Sequence, residues 1–499
     1  MECGLRALQE LILLVRAREK QKIGRLAMNT NYKDKKTISG DDQEAFNEFL
    51  AGKERWNAYV EKHGDDTEVD FSGIDFPKRR KNVDELNFSG YRFPTKGVVN
   101  FGNGNVNFTY ANFGQGVSFM CANFGEGDVN FSNAQFGEGN VDFRMANFGK
   151  GDVYFYNVNF GDGYVNFNYA KFLGKGMVSF NEAEFGECSV EFYCVQFGDG
   201  DIGFYKAKFG KGAVKFNRAQ FGDGYVKFNG AQFGDDDVEF SYAKFGNGDL
   251  EFKGAKFGNG TLNFEHCEFK GYVSFQSMTD PKTLLKISLR HSSFDKSLDI
   301  SDNTFNCIPD LTNTKLTNQV SLDRMEISDN YPPKGDFDKS DGERLCRLKE
   351  LAKANKNHQQ ALGFHVIEMR AKRYNTKLIK GKTPHMLLDI LFDIACLYGQ
   401  SIIRPLLSLS VLTIVCACIY AYESSLDYFP FCYGLLYSLS QVFSFVPAGR
   451  SITIGILDKL FPCETIIPDG VYFFSLLQGV LSFVLLFFIG LGFRNRFRL

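Results

Sequence analysis

The sequence predicts a β-solenoid joined to an α-helical membrane domain, on three observations. A twelve-residue unit of the form FGxGxVxFxxAx recurs from about Phe101 to Phe275. Two long apolar runs, Pro405 to Tyr422 and Val471 to Phe493, lie near the end of the chain. Lys and Arg cluster before the first run and after the second, and the stretch between them is net acidic.

In the repeat, Phe113-Gly114, Phe136-Gly137, Phe160-Gly161, Phe209-Gly210, Phe233-Gly234 and Phe257-Gly258 start copies. Each unit holds two apolar dyads, for example Val165/Phe167 and Ala170/Phe172, or Val214/Phe216 and Ala219/Phe221. Alternation sets both members of a dyad on one side of a short extended segment, with the polar residue between them in water. Gly-x-Gly is expected to supply turns that need positive φ. A unit repeated at a fixed period buries its apolar face only by stacking on its neighbours. One coil of twelve residues is too narrow for two phenylalanines with Val and Ala, so two units, with four short faces, make a coil. About fourteen units then give a rod of about 35 Å at about 4.8 Å per strand. Stacked rings bury on the order of 150–250 Å² each, so the core needs no disulfide.

Read as five-residue modules, VNFTY ANFGQ at 106–115, VDFRM ANFGK at 141–150 and VKFNR AQFGD at 214–223 have Phe at the centre and Val or Ala two residues before it. This resembles the pentapeptide-repeat family, and the resemblance implies a right-handed quadrilateral β-helix. Val69 to Phe76 looks like a first coil, and Trp56-Asn57-Ala58-Tyr59-Val60-Glu61-Lys62 resembles the Trp-Asn helix that often opens such proteins. Phe stands where the family usually has Leu, and an extra Gly-x enlarges every second module. The resemblance covers about Trp56 to Ile327; past Phe275 the units decay, leaving Ile287/Leu289, Leu298/Ile300 and Val320/Leu322 as the last strands. The expected divisions are a helical N-terminal cap (1–65), the β-helix (66–328), cytosolic linker helices (340–382) and the membrane domain (383–499).

The rod shows no ligand set. Calcium-binding glycine-aspartate turns need a carboxylate at a fixed place in every turn. Here that place holds Asn103, Gln115, Glu126, Lys150, Asp162, Lys211 or Asp223, and a lysine would repel the ion. From Phe101 to Gly203 four basic residues face twelve acids, a net of −8; from Phe204 to Phe275 ten face nine. That is a mild acidic stripe, read as a solvated face rather than the DNA-like rod by which some relatives engage topoisomerases. With a net charge of −2, nucleic acid is not an expected partner.

No catalytic constellation, metal site or cofactor motif is found, so no enzyme and no cofactor is expected. His358, His365 and Glu368 share a helical stretch without the HExxH spacing. The twelve cysteines show no paired metal-ligand spacing, and several, such as Cys194, Cys416 and Cys418, suit buried or lipid-facing thiols in a reducing compartment. Leu5 to Leu26 reads as an amphipathic helix, for a partner or cap or for a membrane surface. It is not a signal peptide, because charge runs through it.

Asp341 to Tyr374 is charged and helical in pattern, and Arg370, Lys372, Arg373, Lys377, Lys380 and Lys382 end the segment. The apolar runs at about 405–422 and 471–493 are long enough to cross a hydrocarbon core about 30 Å thick. Basic flanks inside place both termini in the cytosol, with the chain in a cell membrane, the bacterial inner membrane. Between the spans, 429–446 is apolar but broken by Gly434, Ser438, Ser440 and Gln441. It is expected to form a re-entrant helix ended by Pro447, since a third full span would put the Arg-rich tail outside. Helix, re-entrant helix, loop and helix is the layout of two-span ion channels, and LLYSLSQVFSFV resembles their pore helix and filter. The TVGYG of potassium filters is missing; Ser444, Phe445, Val446 and Pro447 stand in its place. Ser475, Gln478 and Ser482 share one face of the second span and suit a pore lining or interhelical bonds. The ending RNRFRL looks like the tail of membrane-anchored pentapeptide-repeat proteins. The functional expectation is a homo-oligomeric pore, a tetramer by preference, in the lipid bilayer, with the rod as a cytosolic sensor or assembly domain. The alternative is a membrane-tethered scaffold whose rod binds a cytosolic protein.

Overall fold

The computed structural model describes residues 40–63, 69–70, 86–87, 106–114, 116–332, 337–380, 384–424, 430–443, 447–461 and 467–497. The Leu5–Leu26 segment and most of the first expected coils lie outside them. A helix pair, α1 (Gly40–Ala51) and α2 (Lys53–His63), precedes the rod. The Trp56-Asn57 segment lies within α2, and Trp56 is fully buried with its ring edge-on to Phe49 at 5.1 Å.

The repeat folds as a β-solenoid whose coils present four parallel ladders. An eleven-stranded ladder runs from Val69 to Val320 and a nine-stranded one from Leu86 to Ile287. A third face links Asn123, Asn147 and Lys171 to a seven-stranded ladder ending at Lys315. Single bridges such as Gln135 to Asn159 and Glu184 to Lys208 form the fourth. Equivalent residues lie about one coil apart, as with Val129 opposite Val153. In the coil starting at Val129 the side chains of Val129, Phe131, Ala134, Phe136, Val141, Phe143, Ala146 and Phe148 are all inside. The dyads therefore point inward as the alternation requires.

From Phe108 to Phe269 each coil contributes four phenyl rings, and the rings lie flat on their counterparts in the next of these coils. Centroids are 5.0 Å apart for Phe167–Phe192, 4.5 Å for Phe192–Phe216 and 4.8 Å for Phe185–Phe209. Rings from adjacent faces meet edge-on, as Phe180 meets Phe192 at 83°. Each ring thus makes offset-stacked and edge-to-face contacts at once, both favourable for the ring quadrupole. From Val106 to Val273 the eleven-stranded ladder has eight strands, about 34 Å at about 4.8 Å per step, in line with the length expected for the repeat; Val69, Leu298 and Val320 extend it to about 48 Å.

The glycine turns meet the expectation only in part: Gly125, Gly149 and Gly161 have positive φ, at 82°, 65° and 68°. Positive φ falls mainly on the residue before each inward Ala or Val, including Tyr169 (61°), Glu182 (59°) and Lys206 (54°). Many Gly-x-Gly glycines are needed for another reason: their backbones stack directly on the coil below. A Cβ on Gly210 would stand 2.0 Å from the Gly186 carbonyl oxygen, and one on Gly224 2.1 Å from that of Gly200.

Turn acids are also structural. Asp201 accepts the amide of Tyr225 at 2.9 Å, Asp237 that of Thr261 at 2.8 Å and Asp223 that of Asn247 at 2.9 Å, each a coil away. Glu126 pairs with Lys150 at 2.9 Å and Glu187 with Lys211 at 2.8 Å. The acidic half of the rod therefore has carboxylates committed coil to coil. No cluster that could hold a metal is found among the described residues.

A helical hairpin, α3 (Asp341–Ala354) and α4 (His358–Lys380), closes the far end of the rod. Leu345, Leu348, Ala352, Ala361 and Phe364 join the solenoid core. The last coil's open carbonyls are met by side chains: Gln360 donates to Leu322 and Met325 at 2.7 and 2.8 Å, and Asn355 donates to Val320. This covers an edge that would otherwise pair with another chain. Five helices follow: α5 (Pro384–Cys396), α6 (Ile403–Glu423), α7 (Pro430–Val442), α8 (Pro447–Leu460) and α9 (Asp469–Arg496). Of these, α6 and α9 are long and apolar enough to cross a membrane.

Candidate functional site

Gly434, Ser438 and Gln441 recur every three or four residues along α7, which places them on one face of that helix. That face packs against α6. A Cβ on Gly434 would lie 2.6 Å from the Ala417 carbonyl oxygen, so only glycine allows the helices this close. One turn later Ser438 donates to the Thr413 carbonyl at 2.7 Å. α7 therefore runs back along α6, from the level of Ala421 to that of Thr413. Thr413 is ten residues short of Glu423, which at about 1.5 Å per residue is about 15 Å.

Helix α8 then returns. Thr453 donates to Ser440 at 3.0 Å, and the Leu460 carbonyl accepts from Ser424, just past the end of α6, at 2.9 Å. Both ends of the α7–α8 hairpin thus lie at the same end of α6. The second limb was expected to be a loop and is a helix opened by Pro447, a residue suited to a first helical turn because its missing N–H is not needed there.

Three of the polar candidates join in one network. Gln478 on α9 accepts from the Tyr420 hydroxyl at 2.9 Å and donates to the carbonyl and hydroxyl oxygens of Ser438 at 2.9 and 2.8 Å. Ser475 donates to the Val471 carbonyl at 2.6 Å and shares a 3.0 Å bond with the Tyr437 hydroxyl. These bonds tie α6, α7 and α9 of one chain together. Gln441 and Ser482 are buried, and the Ser482 hydroxyl has no hydrogen-bond partner among the described residues. Ser444, Phe445 and Val446 lie outside the described residues. Tyr420 and Tyr437 escaped the sequence reading, because which group on α9 each meets depends on how the three helices pack, and only Thr413 and Tyr420, seven apart on one face of α6, hinted at it.

The rod meets these helices through charged groups. Arg370 on α4 forms two bonds with Asp393 on α5, at 3.0 and 2.8 Å, and Arg373 reaches Asp393 at 2.9 Å and Asp389 at 3.0 Å. Burial acts to raise the Asp393 carboxyl, but the two guanidinium groups hold it below its usual range. Asn495, near the end of α9, donates to the Gly399 carbonyl at 2.9 Å, so the start of α6 and the end of α9 lie together. His358, His365 and Glu368 form no metal site. Glu368 is instead bonded by Lys349 and Lys372, with His365 at 3.4 Å.

Comparison with family models, curated proteins and solved structures gives no match.

Proposed function

We propose that this chain is a membrane protein in which α6 and α9 span the bilayer and α7–α8 forms a re-entrant hairpin at a pore built by several copies, four by preference. The observation that carries this reading is the register of the hairpin. It descends about 15 Å along α6, half of a hydrocarbon core about 30 Å thick, and comes back to the side it left. A chain reversal at that depth is tolerated where it lines a wet cavity or is buried in protein. One pair of spans cannot enclose a pore, so the proposal requires an oligomer. Antiparallel α6 and α9, flanked by basic residues, support both termini in the cytosol of a bacterial inner membrane, with the rod as a sensor or assembly domain. The Phe-centred modules and four-faced coils support a right-handed, pentapeptide-repeat type of β-helix for that rod.

A second reading, a membrane-anchored scaffold whose rod binds a cytosolic protein, is favoured by one observation. Ser438, Ser475 and Gln478 are bonded within the chain, so their polarity needs no pore to explain it. Native mass spectrometry of the purified chain, followed by planar-bilayer recording, separates the two. A tetramer whose conductance changes on replacing Gln441 or Ser444 supports the pore. A monomer, or a folded oligomer that passes no current, sinks it and leaves the scaffold.

A further inference from the structure

Helix α5 has thirteen residues, too few to cross a bilayer, yet one side of it is apolar and bare. Leu387, Leu388, Leu391 and Ile394 are 62, 64, 53 and 65 % exposed. At about 100° per residue these four fall on one stripe, and Asp389 and Asp393 fall opposite. The acidic side is occupied by Arg370 and Arg373 of α4, which fixes which way the apolar stripe faces: away from the rod cap.

What covers the stripe follows from continuity. Phe392 of α5 packs on Phe488 of α9 at 5.5 Å, and the chain passes from α5 through a short turn into α6. The outward faces of α6 and α9 are exposed and apolar in the same way, with Val411 and Leu476 60 and 72 % exposed. Lys377, Lys380 and Lys382 precede α5 in the sequence and Arg404 follows it, a charge pattern suited to anionic headgroups.

We infer that α5 lies in the lipid–water interface, its Leu/Ile stripe among the acyl chains and its Asp face held by the rod cap. An amphipathic helix with these flanks takes this position rather than spanning or staying in water. The inference rests on the membrane reading above and adds the rod's seat on the bilayer.

The chain has one tryptophan, Trp56, buried in the N-terminal helix pair, which serves as an internal reference. Leu388→Trp and, separately, Val415→Trp on the bare face of α6 would be made in the full chain and reconstituted in bilayers carrying brominated phosphatidylcholines. The expected result is loss of the added Leu388→Trp emission with bromines near the headgroup, less loss with bromines deep in the chains, and unchanged Trp56 emission. If Leu388→Trp is unquenched while Val415→Trp is quenched, the interfacial inference falls and the membrane reading stands. If Leu388→Trp is quenched best by the deepest bromines, α5 is buried as a span and the inference also falls. If neither is quenched, the membrane reading itself is wrong.

Discussion

Substituting Gly210 by Ala tests whether the glycines serve close approach rather than turn conformation. The added methyl would stand 2.0 Å from the Gly186 oxygen and 2.5 Å from its carbon, both backbone atoms that cannot swing aside. A tolerable contact needs the two coils to part locally by about 1–1.5 Å, since carbon contacts settle near 3.5–4.0 Å. Three bonds cross that junction: Phe185 N–H to Lys208 O and Lys208 N–H to Ala183 O, both 2.8 Å, and Val190 N–H to Ala213 O, 2.9 Å. Stretched by that amount they are lost, at about 1 kcal/mol each. The Phe185–Phe209 stack loses about 0.5–1 kcal/mol more, for a total of about 3–4 kcal/mol. Gly230→Ala is the control. Its φ is +68°, its nearest foreign atom is Lys206 Cγ at 3.5 Å, and Lys206 itself adopts that conformation one coil away. Only the left-handed penalty of about 1–2 kcal/mol applies. Native-state hydrogen exchange at the Phe185 and Lys208 amides reads the local opening energy without assuming two-state unfolding. Equal losses for the two variants, or full protection retained in Gly210→Ala, would refute the stacking account.

Phe192→Ala removes a fully buried ring stacked at 5.0 and 4.5 Å on its neighbours and is expected to cost about 3–5 kcal/mol, read by exchange in the coils on either side. Burial would raise the Glu368 carboxyl, but bonds from Lys349 and Lys372 bring it down to about 2. A depressed folded value means that the stabilisation is complete above the unfolded value of about 4.3 and is lost as pH falls towards 2. Exchange protection of α3 and α4 should therefore weaken across that window, and Glu368→Gln should lose this acid dependence. Gln478→Leu leaves the Tyr420 hydroxyl and Ser438 without their shared partner and is expected to lower stability in detergent by about 1–2 kcal/mol, read as a lower melting temperature.

The rod was legible because its signals are local and periodic: Val-x-Phe and Ala-x-Phe state which residues face inward, and the ring size limits the coil. The roles of Gly210 and Asp201 were not legible in that way. Each is set by a residue one coil away, and a turn seen alone looks the same whether its glycine serves φ or contact. A charge count over Phe101 to Gly203 hides the same kind of role, since Asp152 and Asp201 hold backbone amides of the following coil. In the last hundred residues the two apolar runs were plain from length. α5 merged into the apolar sequence that follows it, and α8, which carries Arg450, Asp458 and Lys459, read as loop. Ser438 and Gln478 were picked out as polar residues in apolar helices, but whether they face a pore or each other depends on how far α7 descends beside α6.

The joint between rod and helices bears on either functional reading. The solenoid gains stiffness from repetition, since its coils are held by their neighbours through parallel ladders and, from Phe108 to Phe269, through four columns of stacked rings. A binding event on such a rod changes the helices only if it favours one of two arrangements of the joint over the other. An apolar contact alone would slide and let the rod swing without consequence. Here the cap is bonded to the last coil through Gln360 and Asn355, and Arg370 and Arg373 grip α5 in a directional fork whose bonds fail with small rotations. Gln400 donates to the Leu362 carbonyl and Asn495 to that of Gly399, which ties the same cap to the start of α6 and the end of α9. The geometry therefore favours rod and helices moving as one body up to α5, so that any change felt by the hairpin enters where α5 turns into α6 and at the end of α9.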